Sequence, residues 1–327
     1  MNFDPPFEEY YEVLIKNSIA QAKDENVFVA EECELPLFDM ESLLTKQNCI
    51  KEVGKAASEW GFFQVKNHGI PQETLEAMQY QQRKVFYEPF NRKSQGGFLN
   101  LPANSYRWGN PKATSLYQLS WFEAFHVPFS NISKMHDYQG LRSTIQTFGE
   151  KAGALAEGLA EILARNMEIE ANFFKENCRP NDSYVRMNRY PKCDFPLSSK
   201  VYGLLPHTDS GFLTILYQDK TSGLQLKKGE KWMSVPPNPD ALIVNVGDLF
   251  QAITNDIYKS VKHRVIVPQN VDRFSVAYFY SPSSDATIES RIKPTLYRKF
   301  SFREYKQKIQ DDIDATGDKV GLSRFLL

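Results

Sequence analysis

The chain has 327 residues, 42% of them hydrophobic, so it is long enough to bury a large apolar core. Its 39 basic and 40 acidic residues nearly cancel, which leaves no overall field to attract nucleic acid or an anionic membrane surface. No apolar run is long enough to span a bilayer and the cysteines lack the spacing of a disulfide scaffold, so we expect a cytoplasmic protein whose partner is a small molecule, with its oligomeric state left open.

The first half of the chain mixes strand-like and helical patterns. A strand is predicted at residues 35–38, a helix at 45–57, a strand at 60–65 ending in the Asn67-His68-Gly69 turn, and a helix at 71–86. Apolar residues between 145 and 167 recur at three- and four-residue steps, which predicts one long amphipathic helix.

Beyond residue 180 the pattern changes to short β-branched and aromatic runs between turn residues. Strands are predicted at 184–190, 212–218, 224–226, 241–246, 260–267 and 274–280, with an amphipathic helix at 301–313 packed outside them. Such spacing is typical of an antiparallel barrel or a double-sheet jelly roll. We therefore expect an α+β protein with a mixed N-terminal region (1–140), a long helix and linker (141–180), a β-rich core of one of these two kinds (181–290) and a C-terminal helix and tail (291–327).

A metal site is predicted in the β-rich half. His207 and Asp209 are two residues apart, so strand alternation would send both side chains to one face, and His263 lies in a later strand-like run. Two imidazoles and one carboxylate on one side of a metal leave the other positions open, which is the arrangement of Fe(II) oxygenases. A lone His-x-Asp also marks surface turns in many proteins, so this motif needs support from its surroundings.

That support is a predicted carboxylate site nearby. Arg273 and Ser275 share one face of an apolar strand, where a guanidinium is costly unless an anion pairs with it. The planar guanidinium fits a carboxylate and the hydroxyl can add a hydrogen bond. Asn188 and Tyr190 alternate onto one face shortly before the His-x-Asp motif, where Tyr190 can donate to the same carboxylate or serve simply as a core tyrosine.

With these motifs the chain resembles the plant 2-oxoglutarate-dependent dioxygenases from about residue 35 to its C-terminus. The resemblance rests on the Trp-Gly-Phe-Phe-Gln-Val-Lys-Asn-His-Gly run at 60–69, Asn-x-Tyr-Pro at 188–191, the His-x-Asp to His pattern, and Arg-x-Ser at 273–275. It implies a distorted double-stranded β-helix core flanked by helices. It also implies that His207, Asp209 and His263 bind Fe(II), and that Arg273 and Ser275 bind the distal carboxylate of 2-oxoglutarate. Tyr190 and Asn188 would complete that site, with O2 as co-substrate and ascorbate as reductant.

Within that family, three runs look like gibberellin 2-oxidases of the subgroup acting on C20 gibberellins. The runs are residues 207–210 with 212–219, residues 105–109 and residues 316–322. The resemblance implies hydroxylation at carbon 2, which inactivates the hormone precursor. Gly211 stands where the subgroup usually has aspartate, and Arg189 and Lys192 alter the usual Asn-Tyr-Tyr-Pro-Pro-Cys run, so we expect these departures to affect the substrate entrance.

A gibberellin is a rigid apolar ring system with a carboxylate, so its site needs apolar walls and a cation or strong donors. Trp121 and Phe279 are candidate walls, and Phe279 shares the strand face of Arg273. Arg107 and Arg186 are candidate carboxylate partners, and Tyr106 adjoins the first of them. A solvated loop arginine and a structural ion pair are the competing interpretations.

Two other functions remain open at this point. One is the same oxygenase chemistry on a flavonoid, an indole acid or another terpenoid. The other is a binding protein that keeps the fold without catalysis, which the complete set of metal and carboxylate ligands argues against.

Overall fold

Two β-sheets form the centre of the molecule. The computed structural model describes residues 2–21, 30–167, 169–170, 172–193 and 201–327. The strands are, in chain order, β1 (Glu31–Glu32), β2 (Leu37–Asp39), β3 (Phe62–Lys66), β4 (Tyr106–Trp108), β5 (Glu123–Pro128), β6 (Tyr184–Tyr190), β7 (Tyr202–His207), β8 (Leu213–Gln218), β9 (Leu224–Lys228), β10 (Lys231–Ser234), β11 (Leu242–Val246), β12 (His263–Ile266), β13 (Arg273–Tyr280), β14 (Thr287–Ile288) and β15 (Phe300–Ser301).

The larger sheet has the order β2-β3-β11-β8-β13-β6-β5-β4, and the smaller has the order β1-β10-β9-β12-β7. Apart from the parallel β1–β10 and β2–β3 pairs, neighbouring strands within these two sheets run antiparallel. Strands of both sheets line one cavity, so the sheets face each other across it. This is the predicted α+β jelly roll.

Helices cover the outside of the sheets. They are α1 (Phe7–Tyr10), α2 (Glu12–Gln21), α3 (Met40–Thr45), α4 (Gln47–Glu59), α5 (Gln72–Phe86), α6 (Phe90–Lys93), α7 (Gln139–Arg165), α8 (Phe173–Asn177), α9 (Asp248–Ile253) and α10 (Phe302–Thr316). Short 3₁₀ segments lie at Phe98–Asn100, Ala103–Ser105, Leu116–Gln118, Phe129–Lys134, His136–Tyr138, Pro180–Asp182 and Gly321–Phe325. Among the described residues, no helix is both long enough and apolar enough to cross a bilayer.

Alternation along β13 separates the core from the cavity. Arg273, Ser275, Ala277 and Phe279 line the cavity, whereas the intervening side chains Phe274, Val276, Tyr278 and Tyr280 are buried in the main apolar core. The apolar stripe of α7 belongs to the same core, and α7 packs against β8 and β13. Side chains of a strand point alternately to opposite faces. Because α7 packs on one face of β13, the side chains on the other face can line the cavity.

The predicted elements are found within three residues of their expected bounds, except that α7 begins six residues before the predicted start of the long helix, and the strand at 184–190 coincides with β6. The sequence did not predict β4 and β5, which extend the larger sheet beside β6. Strands from the N-terminal region therefore complete a sheet whose other members lie mostly after residue 180. The C-terminal helix was expected only to pack outside, but Ile313 of α10 and Lys319 beyond it also line the central cavity.

Candidate active site

His207, Asp209 and His263 come together at the edge of the central cavity. His207 ends β7, His263 begins β12, and the two histidines are paired across these antiparallel strands. Asp209 lies in the turn after β7, so the prediction that it shares a strand with His207 is wrong. Their ligand atoms nevertheless lie within 4.8 Å of one another. The turn, rather than strand alternation, brings the carboxylate to the imidazoles.

Backbone carbonyls orient both imidazoles. Nδ1 of His207 lies 2.8 Å from the carbonyl oxygen of Leu205, and Nδ1 of His263 lies 3.1 Å from that of Val261. A carbonyl only accepts, so each Nδ1 carries the proton and each Nε2 keeps its lone pair. The Nε2 atoms of His207 and His263 lie 3.7 and 3.8 Å from Oδ1 of Asp209. Nε2 of His207, Nε2 of His263 and Oδ1 of Asp209, each with a lone pair available for a metal, therefore lie close together.

The carboxylate of Asp209 is fixed by donors from the larger sheet. Its Oδ2 accepts hydrogen bonds from Oγ1 of Thr214 and Nδ2 of Asn245, each at 2.7 Å. Thr214 lies on β8 and Asn245 on β11. These bonds occupy one carboxylate oxygen and leave Oδ1 for a metal, as is usual where surrounding groups orient a metal ligand.

The protonation states also suit a metal. Burial and the neighbouring His263 lower the pKa of His207 to about 3. Burial raises the pKa of Asp209, but His263, His207 and the bonds from Thr214 and Asn245 outweigh burial and lower it to about 2. At neutral pH the His207 imidazole is therefore neutral and the carboxylate ionised. This set of two nitrogens and one oxygen fits Fe(II) with positions left open for other ligands.

The predicted carboxylate site lies in the same cavity. Nη2 of Arg273 donates to Oε1 of Gln218 at 2.7 Å, and its Nε donates to the carbonyl of Thr221 at 3.2 Å. Nη1 of Arg273 is buried and has no hydrogen-bond partner among the described residues. A buried guanidinium with one edge left unsatisfied is costly. A carboxylate of a bound molecule would satisfy it, so the site fits 2-oxoglutarate.

Ser275, Asn188 and Tyr190 surround this arginine. Nδ2 of Asn188 lies 3.4 Å from Oγ of Ser275, across the paired strands β6 and β13. The guanidinium carbon of Arg273 lies 5.1 Å from the centre of the Tyr190 ring, so the tyrosine contacts the arginine through its ring face. Asn188 therefore supports the hydroxyl of Ser275, and Tyr190 supports the guanidinium of Arg273.

The predicted substrate residues separate into three groups. Arg186 and Phe279 line the central cavity, which is called the active cavity from here on because it contains the three metal-ligand candidates. Arg107 lies in a second cavity, which Arg186 also lines. Tyr106 and Trp121 line neither. The hydroxyl of Tyr106 donates to the buried carboxylate of Glu123, and the ring of Trp121 stacks on Phe7 at a centroid distance of 4.4 Å.

The three residues that depart from the pattern of the gibberellin 2-oxidase subgroup lie in different places. Arg189 turns away from both cavities, where its guanidinium pairs with Glu123 at 2.7 Å and Asp272 at 2.7 Å, and Lys192 is exposed and lines neither cavity. The expectation that these two affect the substrate entrance does not agree with their positions. Gly211 does line the second cavity, and a Cβ added there would lie 2.7 Å from the carbonyl oxygen of Tyr280, so a larger side chain requires a backbone shift.

Sequence reasoning missed the groups that orient the metal ligands. Asn245 and Thr214 stand in apolar strands, and a polar side chain inside such a run was the available signal. Lys319 also lines the active cavity, although it belongs to the C-terminal tail. Nothing in the local pattern of the tail indicated this contact.

A jelly roll that places two histidines, one carboxylate and an unsatisfied arginine in one cavity defines an Fe(II)-dependent oxygenase that uses a 2-oxo acid. Residues 181–282 match the family model of the 2OG-Fe(II) oxygenase superfamily, and residues 35–145 match the N-terminal model of non-haem dioxygenases in morphine synthesis. The chain belongs to the 2-oxoglutarate and Fe(II)-dependent oxygenase superfamily, and it is a 2-oxoglutarate-dependent dioxygenase.

Individual relatives are similar over nearly the whole chain. Gibberellin 2-beta-dioxygenase 8 of Arabidopsis thaliana is 51% identical, covering 99% of this chain and 98% of the relative. Gibberellin 2-beta-dioxygenase 6 of Oryza sativa subsp. japonica is 44% identical, covering 90% and 85%. The crystal structure of JOX2 in complex with 2OG, Fe and JA superposes with a TM-score of 0.73 at 28% identity, covering 89% of this chain and 91% of that one.

We predict that His207→Ala, Asp209→Ala and His263→Ala each abolish turnover, because each removes one of three converging metal ligands. Iron content and 2-oxoglutarate decarboxylation should both fall, with the folded state retained by circular dichroism. His136→Ala is the matched control, since His136 is an exposed histidine that pairs with Asp137 and lines neither cavity. Normal iron content and activity in any of the three variants would remove that residue from the site.

We predict that Arg273→Met weakens 2-oxoglutarate binding by about 2–5 kcal/mol, more than tenfold, because a buried carboxylate loses its charged partner. Anaerobic calorimetric titration of 2-oxoglutarate into metal-loaded protein measures this loss, and metal content should stay unchanged. The control is Arg264→Met, because Arg264 is also buried and bonds to Gln225, but lines neither cavity. Equal affinities in the wild type and Arg273→Met would contradict the assignment.

Proposed function

We propose that this dioxygenase hydroxylates a gibberellin, and that the reaction is 2-hydroxylation of a C20 gibberellin, which inactivates the hormone. The observation that carries the proposal is the full-length likeness to gibberellin 2-beta-dioxygenases, at 51% identity across 99% of the chain. Because this likeness includes the strands that line the active cavity, it bears on the substrate as well as on the fold. A cytoplasmic location and ascorbate as reductant complete the proposal.

In this reaction His207, Asp209 and His263 hold Fe(II), and Arg273 with Ser275 holds the distal carboxylate of 2-oxoglutarate. The bound iron supplies the chemistry that couples oxidative decarboxylation of 2-oxoglutarate to succinate and CO2 with hydroxylation of a substrate C–H bond by O2. Asn188 orients the Ser275 hydroxyl, and Tyr190 supports the guanidinium of Arg273. The protein residues determine which carbon is presented to the metal.

The dimensions of the two cavities support a binding position for a large substrate that spans both. The active cavity has a volume of about 340 Å³, and 2-oxoglutarate with the metal occupies part of it. The second cavity has a volume of about 520 Å³ and shares Tyr184, Arg186 and Ser210 with the first. A gibberellin that reaches the metal would therefore extend past these shared residues into the second cavity.

The shared wall supplies both apolar and cationic contacts. The ring of Phe279 stacks on Tyr184 at 4.4 Å between centroids, which presents a flat apolar surface. Nε of Arg186 donates to Oδ1 of Asn188 at 2.9 Å, and no carboxylate lies within 4.0 Å of its guanidinium among the described residues. Burial lowers the pKa of Arg186, which expresses the cost of a cation held here without an anion. A substrate carboxylate would pair with it.

Arg107 stands farther out on the wall of the second cavity. It is exposed, and its Nε donates to the carbonyl of Asn104 at 3.4 Å. Arg107, Arg186 and His126 all line this cavity, and the charges of the two arginines add to burial in lowering the pKa of His126. We assign Arg107 to steering the substrate carboxylate inward and Arg186 to binding it.

The experiment incubates purified enzyme with iron, ascorbate and 2-oxoglutarate together with C20 gibberellins, C19 gibberellins, flavonoids and indole acids, and identifies products by mass spectrometry. We expect a 2-hydroxylated C20 gibberellin with one succinate released per product. For the preferred acid, Arg186→Met should raise KM at least tenfold, whereas KM for the corresponding methyl ester should change little.

The control is Arg165→Met at the end of α7, because Arg165 is exposed and lines neither cavity. It should leave both KM values unchanged. Turnover of only a flavonoid or an indole acid would refute the gibberellin proposal. Equal effects of Arg186→Met on the acid and the ester would refute the role of Arg186.

A further inference from the structure

The C-terminal tail returns to the loop that carries the metal-binding aspartate. Gly317 ends α10 with a left-handed backbone (φ 81°), a conformation that glycine adopts readily, and the chain then turns towards the active cavity. Nζ of Lys319 lies 2.9 Å from the carbonyl oxygen of Thr208 and 3.2 Å from Oγ of Ser210. Lys319 thus bonds to both residues that flank Asp209.

A buried aspartate completes this contact. Oδ2 of Asp248 lies 2.6 Å from Nζ of Lys319, and it also accepts hydrogen bonds from Oγ1 of Thr208, at 3.0 Å, and from the hydroxyl of Tyr305. The backbone N–H of Asp248 donates to the carbonyl of Asp209 at 2.7 Å. Residues 208–210 are therefore held by α9 on one side and by the tail on the other.

Stability alone does not account for this pair. Asp248 is 3% exposed and the Lys319 side chain 15% exposed, so both charges lose much of their hydration. A buried ion pair often contributes no more to stability than an apolar pair of the same size. Its advantage is direction, because the ammonium has three donors and here meets three acceptors with defined positions. Those acceptors are the carbonyl oxygen of Thr208 and Oγ of Ser210, on either side of Asp209, and Oδ2 of Asp248.

We propose that Lys319 is a positioning residue for the metal centre. By fixing Thr208 and Ser210, it holds the backbone of Asp209 so that Oδ1 faces the two histidines, while Thr214 and Asn245 fix the other carboxylate oxygen. The positioning is done by the contact of the Lys319 ammonium itself, rather than by the attachment of the C-terminal tail as a whole. This inference rests on the proposed metal ligands and is independent of the substrate.

The test measures metal binding directly, without turnover. Co(II) is titrated anaerobically into metal-free wild type, Lys319→Met and Lys319→Gln, and the visible absorption of the bound ion gives both the dissociation constant and the ligand environment. We expect the dissociation constant to rise about 10- to 100-fold in both variants, the usual range for groups that orient metal ligands, and the absorption bands to shift.

The matched control is Arg324→Met. Arg324 bonds to Oδ1 of Asp312 at 2.6 Å and so ties the tail to α10, without contacting residues 208–210. It should reduce thermal stability without weakening Co(II). Unchanged Co(II) affinity in both Lys319 variants, or an equal loss in Arg324→Met, would overturn the proposal. Failure of the wild type to bind Co(II) at these ligands would instead refute the metal site itself, and with it the proposed function.

Discussion

The structure depends on one buried carboxylate that joins the two sheets. Asp209 follows a strand of the smaller sheet, and its Oδ2 accepts hydrogen bonds from Thr214 and Asn245 of the larger sheet. Its Oδ1 is thereby directed at His207 and His263 of the smaller sheet. A buried carboxylate without these partners would be strongly unfavourable. The ionised Asp209 is therefore stable only because the larger sheet faces it, and its hydrogen bonds in turn hold the two sheets together.

The same inner faces provide the second half of the chemistry. Antiparallel pairing of β6 with β13 sets Asn188 opposite Ser275 and Tyr190 opposite Arg273. Because alternation sends all four side chains to the cavity, the carboxylate site and the metal site share one cavity. The opposite faces of these strands pack on α7, which fixes their positions. Fold and reaction thus use the two faces of the same strands.

The sequence predicted those features that depend on local alternation. Arg273, Ser275 and Phe279 share a face because strand periodicity is a property of the backbone, and their common cavity wall is confirmed. The strands themselves were predicted for the same reason. Their spacing left a barrel and a jelly roll as alternatives, and the family resemblance favoured the jelly roll. The family motifs then related His263 to His207, which lie far apart in the chain.

Features that depend on distant partners were not predictable in this way. Tyr106 and Trp121 carry the aromatic character of a substrate wall, but a buried Glu123 and the N-terminal Phe7 take up these side chains. The contact from Lys319 to Thr208 spans 111 residues and depends on how α10 docks. Asp209 itself lies in a turn whose course is set by bonds from other strands, so its position could be predicted but its backbone conformation could not.

The most direct test of this account is a crystal structure of the protein grown anaerobically with Fe(II) and 2-oxoglutarate. We predict one metal ion bound by Nε2 of His207, Oδ1 of Asp209 and Nε2 of His263, with the distal carboxylate of 2-oxoglutarate on Nη1 of Arg273. A metal ion bound elsewhere, or a 2-oxoglutarate carboxylate that does not contact Arg273, would contradict the account.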